Sequence, residues 1–280
     1  MCSVRRPTMP VLDDELDLAV NLRDVVKRFG PVTALDHLTL RVPRGEAHGL
    51  VGTPGAGKTT TLQLLLGRLR PDRGSARVLA TDPRRHTVEL QRRVAYVPQQ
   101  VFRWSHLTGA ELLDTMSFVR GIDTARRVEL TERFSPALDR VGHTDSAENR
   151  QKIELIAALS SPAELLVLDE PGRLLDPAGR AALTAVLAEQ RRRGRTLLLT
   201  EDPSAPAIDT ASVCRRLTYL EAGRTVRADH RDPTSWAAPD RHRLRHRRDD
   251  ERPCGAGAAP GRPRPGPRRA QSMTGELGPT

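Results

Sequence analysis

The stretch GTPGAGKT, Gly52–Thr59, puts glycines where a chain must bend sharply and a lysine and a threonine where it resumes. It fits G-x-x-x-x-G-K-[ST] at every fixed position. It follows the apolar run AHGLVG and opens the apolar helix-like run TTTLQLLLGRL, the strand–loop–helix context in which that pattern holds phosphate. Gly52, Gly55 and Gly57 let backbone N–H groups turn inward around phosphate oxygens, with Thr53, Pro54 and Ala56 completing the loop. A helix beginning at Lys58, Thr59 and Thr60 adds the partial positive charge of its N-terminus. The Lys58 ammonium suits the β- and γ-phosphates and the Thr59 hydroxyl suits Mg2+, so the expected ligand is a nucleoside triphosphate with its Mg2+.

A second constellation lies downstream in LLVLDEP, Leu165–Pro171. Asp169, at the C-terminal end of a buried strand, can hold Mg2+ or its water, and Glu170 can polarise an attacking water. An acidic pair after an apolar strand is common and by itself reads as a solvated strand end. The phosphate loop upstream gives this pair a partner.

The formal net charge of +10 invites an anionic partner, either a nucleotide, a nucleic acid or a membrane face. Lysine, however, occurs only at positions 27, 58 and 152, while Lys and Arg together number 45. A chain that writes arginine almost everywhere owes its charge largely to that habit, which makes each retained lysine more informative. Cys2, Cys214 and Cys254 are far apart and form no metal-ligand pairing, as expected of reduced thiols in a cytosolic protein. No run approaches the roughly 18 apolar residues that span a membrane. The N-terminal MCSVRRPTMPVLDDELDL carries acidic residues where a signal peptide would be apolar, so none is expected.

Residues 1–18 read as a loose lead-in. Residues 19–229 read as one α/β domain in which apolar strand runs alternate with amphipathic stretches. AHGLVG (47–52), RVAYVPQ (93–99), ELLVLDE (164–170) and TLLLTE (196–201) are expected as short buried strands. NLRDVVKRF and HLTLRV are expected as half-solvated antiparallel strands, and RLTYLEAGRTVRAD as a closing hairpin turning at Glu221-Ala222-Gly223. Residues 101–160 hold helix-like runs, GAELLDTMSFVRG and ENRQKIELIAALS, and suggest an inserted helical subdomain. Residues 230–280 are rich in Arg, Pro and Gly and are expected to be a disordered tail. A nucleic-acid or lipid-headgroup tether is the sharper reading of that tail, but no interleaved aromatics support base stacking.

Over residues 19–228 the order of these features resembles the ATP-binding subunits of ABC transporters, and most of all the branch that drives drug, antibiotic or polysaccharide exporters. The resemblance implies a P-loop NTPase core: a mixed sheet flanked by helices, N-terminal antiparallel strands and an inserted helical subdomain. It implies ATP and Mg2+ as ligands, with Phe29 against adenine and Gln99 of YVPQ touching Mg2+ and sensing a membrane partner. DPAGR, Asp176–Arg180, matches the segment that crosses the subunit interface, although Gly172, Arg173 and Leu174 depart from the usual small residues before it. The implied partners are a separate transmembrane permease subunit and a second ATP-binding subunit, as homodimer or heterodimer. The implied place is the cytoplasmic face of the membrane.

Two motifs depart from the family pattern. The LSGGQ signature, which presents a serine and backbone amides to the γ-phosphate across the dimer, stands here as Asp145-Ser146-Ala147-Glu148-Asn149. Ser146 is retained, both glycines are absent, and Glu148 puts a carboxylate where a phosphate should approach. At about 4 Å and an effective dielectric near 20 the two charges repel by roughly 4 kcal/mol unless Glu148 turns aside, against a helix-terminus attraction of about 0.3–2 kcal/mol. In the switch segment TLLLTEDP, Glu201 stands where the family carries a histidine. ATP binding with impaired intrinsic hydrolysis is therefore expected. The alternatives are a catalytically weak regulatory or assembly protein of the same fold, and a nucleic-acid-associated ATPase using the basic tail, against which the arginine habit and missing aromatics count.

Overall fold

The computed structural model describes residues 17–230 apart from 102, 103 and 105. The expected lead-in over 1–18 and the expected tail over 230–280 lie outside the described residues except at 17, 18 and 230. The chain opens with two long antiparallel strands, β1 (Leu18–Phe29) and β2 (Val32–Pro43). Buried strand β3 (Ala47–Gly52) then leads through the glycine-rich loop into helix α1 (Lys58–Leu65), and β4 (Arg73–Val78) returns to pair with β1. Short helix α2 (Thr87–Arg93) precedes β5 (Val94–Val97). Helices α3 (Gly109–Arg120), α4 (Thr124–Phe134) and α5 (Ala147–Ser160) come between β5 and β6 (Leu165–Leu168). Helix α6 (Pro177–Arg192), β7 (Thr196–Glu201), the single-turn α7 (Thr210–Val213) and the hairpin β8 (Arg216–Glu221) and β9 (Arg224–His230) complete it.

The strands form two sheets. A three-stranded antiparallel sheet has the order β2-β1-β4, and a six-stranded sheet has the order β5-β6-β7-β3-β8-β9. All neighbours in the second sheet are parallel except the closing hairpin. Because successive side chains on a strand point to opposite faces, the uninterrupted apolar runs of β6 and β7 serve two cores at once. Leu166, Leu168, Leu197 and Leu199 pack with Ile153, Ile156, Leu183 and Leu187 of α5 and α6. Leu165, Val167 and Leu198 pack with Leu62, Leu65, Leu22 and Leu40, against α1 and the antiparallel sheet. The two cores clamp the parallel strands from both sides, which fixes where their C-terminal ends, and the loops leaving them, must lie.

Helix ends are set locally. Thr108 and Glu111 form a reciprocal capping box on α3, Asp123 caps α4, Ser146 caps α5, and Asp176 caps α6 with Pro177 in its first turn. Among the described residues no helix is long and apolar enough to cross a membrane.

Strand β7 ends on a buried carboxylate. Glu201 is 6% exposed, and its Oε1 accepts the backbone N–H of Ala207 at 2.8 Å and of Ile208 at 3.2 Å, folding the loop after β7 back on the strand. Burial pushes its carboxyl up to about 7, opposed by those two N–H bonds and aided by the charges of Asp209 and Glu170. A folded-state value above the ordinary one means that the folded chain holds this proton more tightly than the unfolded chain. Glu201's contribution to stability is therefore fully present below about pH 4.5 and is lost as pH rises through about 7, by on the order of 3 kcal/mol. Glu201→Gln keeps the Oε1 acceptor and carries no charge at any pH. Thermal melts should show it stabilised over the parent by several degrees at pH 8 and by almost nothing at pH 5; an equal difference at both pH values would mean that Glu201 does not titrate as described.

Candidate nucleotide-binding site

The loop between β3 and α1 is built on its glycines. Gly57 caps α1 in the left-handed region at φ 103°, and a Cβ there would lie 2.7 Å from the Ala34 carbonyl oxygen and 2.8 Å from Leu35 Cδ2. At Gly52 a Cβ would lie 2.7 Å from the Leu220 carbonyl oxygen. Neither position has room for any other residue. The loop is thereby pressed onto β2 and β8, with Thr53, Pro54, Gly55 and Thr59 exposed, Ala56 and Lys58 buried, and Thr60 half-buried. The first N–H groups of α1 have no acceptor within the helix, so the loop presents donors and partial positive charge to whatever lies above it.

Lys58 extends back across this loop. Its ammonium donates to the Gly52 carbonyl at 2.5 Å and the Thr53 carbonyl at 3.3 Å and lies 3.2 Å from Glu170 Oε1. Glu170 Oε2 accepts Gln99 Nε2 at 2.6 Å. Lys58 from the start of α1 and Gln99 from just past β5 thus meet at the carboxylate of Glu170, just past β6. Parallel pairing explains the meeting: Val97 lies opposite Leu168, so Gln99 and Glu170 leave the sheet at neighbouring C-terminal ends.

Asp169 lies one residue back and is 1% exposed. It accepts the Thr59 hydroxyl at 3.1 Å on Oδ2 and the Thr200 hydroxyl at 2.6 Å on Oδ1. Burial raises its pKa, against those two hydrogen bonds and with the Glu170 charge acting in the same direction. A hydroxyl and a carboxylate side by side are hard oxygen donors suited to Mg2+, which commonly takes one or two protein ligands and completes its shell with phosphate oxygens and water. Among the described residues no cluster of three or more His, Cys, Asp and Glu could hold a metal by protein groups alone. Thr59 and Asp169 thus fit a Mg2+ ion brought by a nucleotide, whereas Gln99, the third expected ligand, has its Nε2 on Glu170.

Thr200 escaped the sequence reading. Its hydroxyl donates to Asp169 and accepts the Glu170 backbone N–H at 2.9 Å, so one threonine fixes both acidic residues. The available signal was its position at the end of the apolar strand TLLLTE, one residue before Glu201. Phe29 lies at the end of β1, 47% exposed, with the Lys27 ammonium 5.3 Å from its ring centroid. The turn that follows leads into Ala34, whose carbonyl packs on Gly57.

The structure changes the picture of Glu148. Its carboxylate turns aside: Oε1 lies 2.9 Å from Lys152 Nζ, one helical turn on, and accepts the Asp176 backbone N–H at 3.3 Å. Lys152 also lies 3.9 Å from the Asp176 carboxylate, and Gln151 Oε1 accepts the Leu174 N–H at 3.1 Å. The start of α5 is thus tied to the segment before α6, and the expected unscreened charge at Glu148 is paired. The i, i+4 spacing of Glu148 and Lys152 was the available signal. Ser146 is also engaged: its Oγ accepts the Asn149 N–H at 3.0 Å, and its own N–H goes to the Asp145 carboxylate at 2.7 Å.

A family model described as ABC transporter matches residues 35–173. The daunorubicin resistance ATP-binding protein DrrA3 of Streptomyces coeruleorubidus is 34% identical over 216 residues, 75% of this chain and 67% of that protein. The daunorubicin/doxorubicin resistance ATP-binding protein DrrA of Streptomyces peucetius is 33% identical over 74% of this chain and 64% of its own length, so the chain spans about two thirds of these relatives. A solved structure of an ATP-binding subunit of an ABC transporter superposes with a TM-score of 0.68 at 25% identity, covering 76% of this chain and 90% of that one. A dimeric ATP-binding cassette bound to ADP and Pi shares the fold with a TM-score of 0.66 at 21% identity, covering 75% of this chain and 98% of that one. The chain belongs to the ABC transporter family, as an ATP-binding subunit of that family.

Proposed function

We propose that this chain binds Mg-ATP and couples its binding and hydrolysis to export by a separate membrane subunit, with slow intrinsic turnover. The observation that carries the reading is the convergence of Lys58, Gln99 and Glu170 beside the Thr59–Asp169 pair. In this reading residues 19–229 are the ATP-binding domain, residues 101–160 its helical subdomain and residues 230–280 a tail. The protein docks on the cytoplasmic face of the membrane and pairs with a second ATP-binding subunit, identical or not. The drug-resistance names of its relatives favour a small organic cargo chosen by the permease.

Each residue has a definite task. The loop Gly52–Thr60 and Lys58 hold the β- and γ-phosphates, and Phe29 offers a face to adenine. Thr59, Asp169 and Gln99 would hold the Mg2+, which would supply Lewis-acid screening of the phosphate charge. Glu170 accepts a proton from the attacking water, held to its line by Gln99 and by the Thr200 bond to its backbone. Ser146 is the remaining side-chain donor at the start of α5 for a phosphate on the partner subunit.

Slow turnover follows from two features. The Asp145 carboxylate accepts the Ser146 N–H, and Asp145 and Glu148 both put negative charge at the start of α5, where the glycines of the signature are absent. Glu201 is committed to the Ala207 and Ile208 N–H groups instead of reaching a γ-phosphate. Pairing with Lys152 lessens the Glu148 penalty but does not supply the missing donors.

Measured together on the purified chain, Mg-ATP affinity and hydrolysis test the core of this reading. Lys58→Ala should weaken binding by at least about tenfold, or about 1.4 kcal/mol. Glu170→Gln should not weaken binding and should lower any hydrolysis by about 100-fold or more. Undiminished binding by Lys58→Ala would remove the loop from the mechanism. A combined Ala147→Gly and Glu148→Gly variant should hydrolyse ATP several-fold faster than the parent, because it clears the charge and crowding at the start of α5; no gain would place the deficit at Glu201 instead.

A further inference from the structure

Glu170 stands at a sharp turn. Its φ of 46° is left-handed, and its carbonyl accepts the Arg173 N–H at 3.1 Å, folding residue 173 back beside residue 170. As a result the Glu170 carboxylate faces two cations. Lys58 Nζ lies 3.2 Å from Oε1, and Arg173 Nη1 lies 3.8 Å from Oε2.

The two cations differ in freedom. The Lys58 side chain is 5% exposed and donates to two loop carbonyls, so its ammonium stays in the phosphate loop. The Arg173 side chain is 58% exposed, and among the described residues its guanidinium forms no other ion pair. Arg173, Glu170, Glu201 and Asp202 line one small cavity between the ends of β6 and β7. In that cavity Arg173 is the only cation among the described lining residues, and its ion-pair partner there is Glu170.

A terminal phosphate arriving on Lys58 would compete with the Glu170 carboxylate for its closer cation. The Glu170 side chain is only 11% exposed, and a carboxylate left without a cation there, beside an incoming anion, is costly. Gln99 offers it a neutral hydrogen bond but no charge. Arg173 needs to move by only about an ångström to close its gap to a hydrogen-bonded ion pair of about 2.8 Å. We propose that Arg173 takes over the Glu170 carboxylate when the nucleotide's terminal phosphate takes Lys58, so that Arg173 is a positioning residue for Glu170 and a determinant of nucleotide affinity. The proposal rests on the nucleotide reading above and adds to it a residue with no part in the phosphate loop or the acidic pair.

The test is Mg-ATP affinity by titration calorimetry on the full chain, which reads the effect without requiring turnover. Parent, R173A, R173K, E170Q and the double variant E170Q/R173A would be compared. Arg173→Ala should weaken Mg-ATP by about fivefold, the size of a favourable partly exposed ion pair, and Arg173→Lys by less than about twofold. In the Glu170→Gln background, where no displaced charge needs a partner, Arg173→Ala should change nothing. A fivefold loss that persists in the Glu170→Gln background would mean that Arg173 touches phosphate directly, and equal affinities for parent and R173A would mean that it plays no part; either overturns the proposal. Should R173A fail to fold, R173Q makes the same comparison. A parent chain that binds no Mg-ATP would refute the nucleotide reading itself, a failure visible in every variant and distinct from the loss of the Arg173 effect alone.

Discussion

Asp169 accepts one hydroxyl from the phosphate-loop helix and another from β7, and the site depends on that pair of bonds. Through Thr59 it sets α1 against the end of β6. Through Thr200, which also accepts the Glu170 N–H, it sets the neighbouring carboxylate. The carboxylate can be buried because it is bonded on both oxygens. The packing behind it does the rest: two apolar cores press the parallel strands from either side, so small shifts in the strand ends would disturb many contacts at once.

The same economy explains why charges in this chain come in compensated sets. Lys58 lies on Glu170, and Lys152 lies between Glu148 and Asp176. Two of the three lysines thus stand at points where a compact ammonium meets a carboxylate near the candidate phosphate path. The arginines mostly serve structure. Arg195, for instance, donates to the carbonyl of Leu159 in the last turn of α5 and to those of Ser161 and Ala163 just beyond it, where the helix dipole favours a cation. Burial draws its pKa down to about 10, and it remains charged at neutral pH.

The sequence made the parallel core legible because its strands are apolar on both faces and its glycine loop is chemically specific. Strand ends came out within a few residues: Ala47–Gly52 and Thr196–Glu201 match, while the run 93–99 contracts to Val94–Val97. Strand β4 and helix α2 went unread. RGSARV has five exposed or half-buried residues of its six and no alternation to betray a strand, and TVELQRR buries only Leu90. Both take their form from neighbours, β4 by pairing with β1 and α2 by packing on β5, which is tertiary override of a weak local signal.

At the site the residue types were legible but the side-chain directions were not. Glu148 reads in sequence as an anion facing a phosphate, yet an i, i+4 lysine and a backbone N–H from before α6 draw it aside. Glu201 reads as a failed donor, yet two N–H groups six and seven residues later make it the anchor of its own loop. In both cases a carboxylate chose the nearest available donor over the distant ligand for which the position is named in the family. That choice depends on loop geometry that no spacing rule encodes. A motif can therefore lose its residues while its helix, turn and strand stay in place, and what remains is a scaffold whose polar groups are satisfied internally until a nucleotide competes for them. Competition of this kind sets affinity by the difference between two sets of bonds, which is why the residues holding the unliganded site together belong to the mechanism as much as those that meet the phosphate.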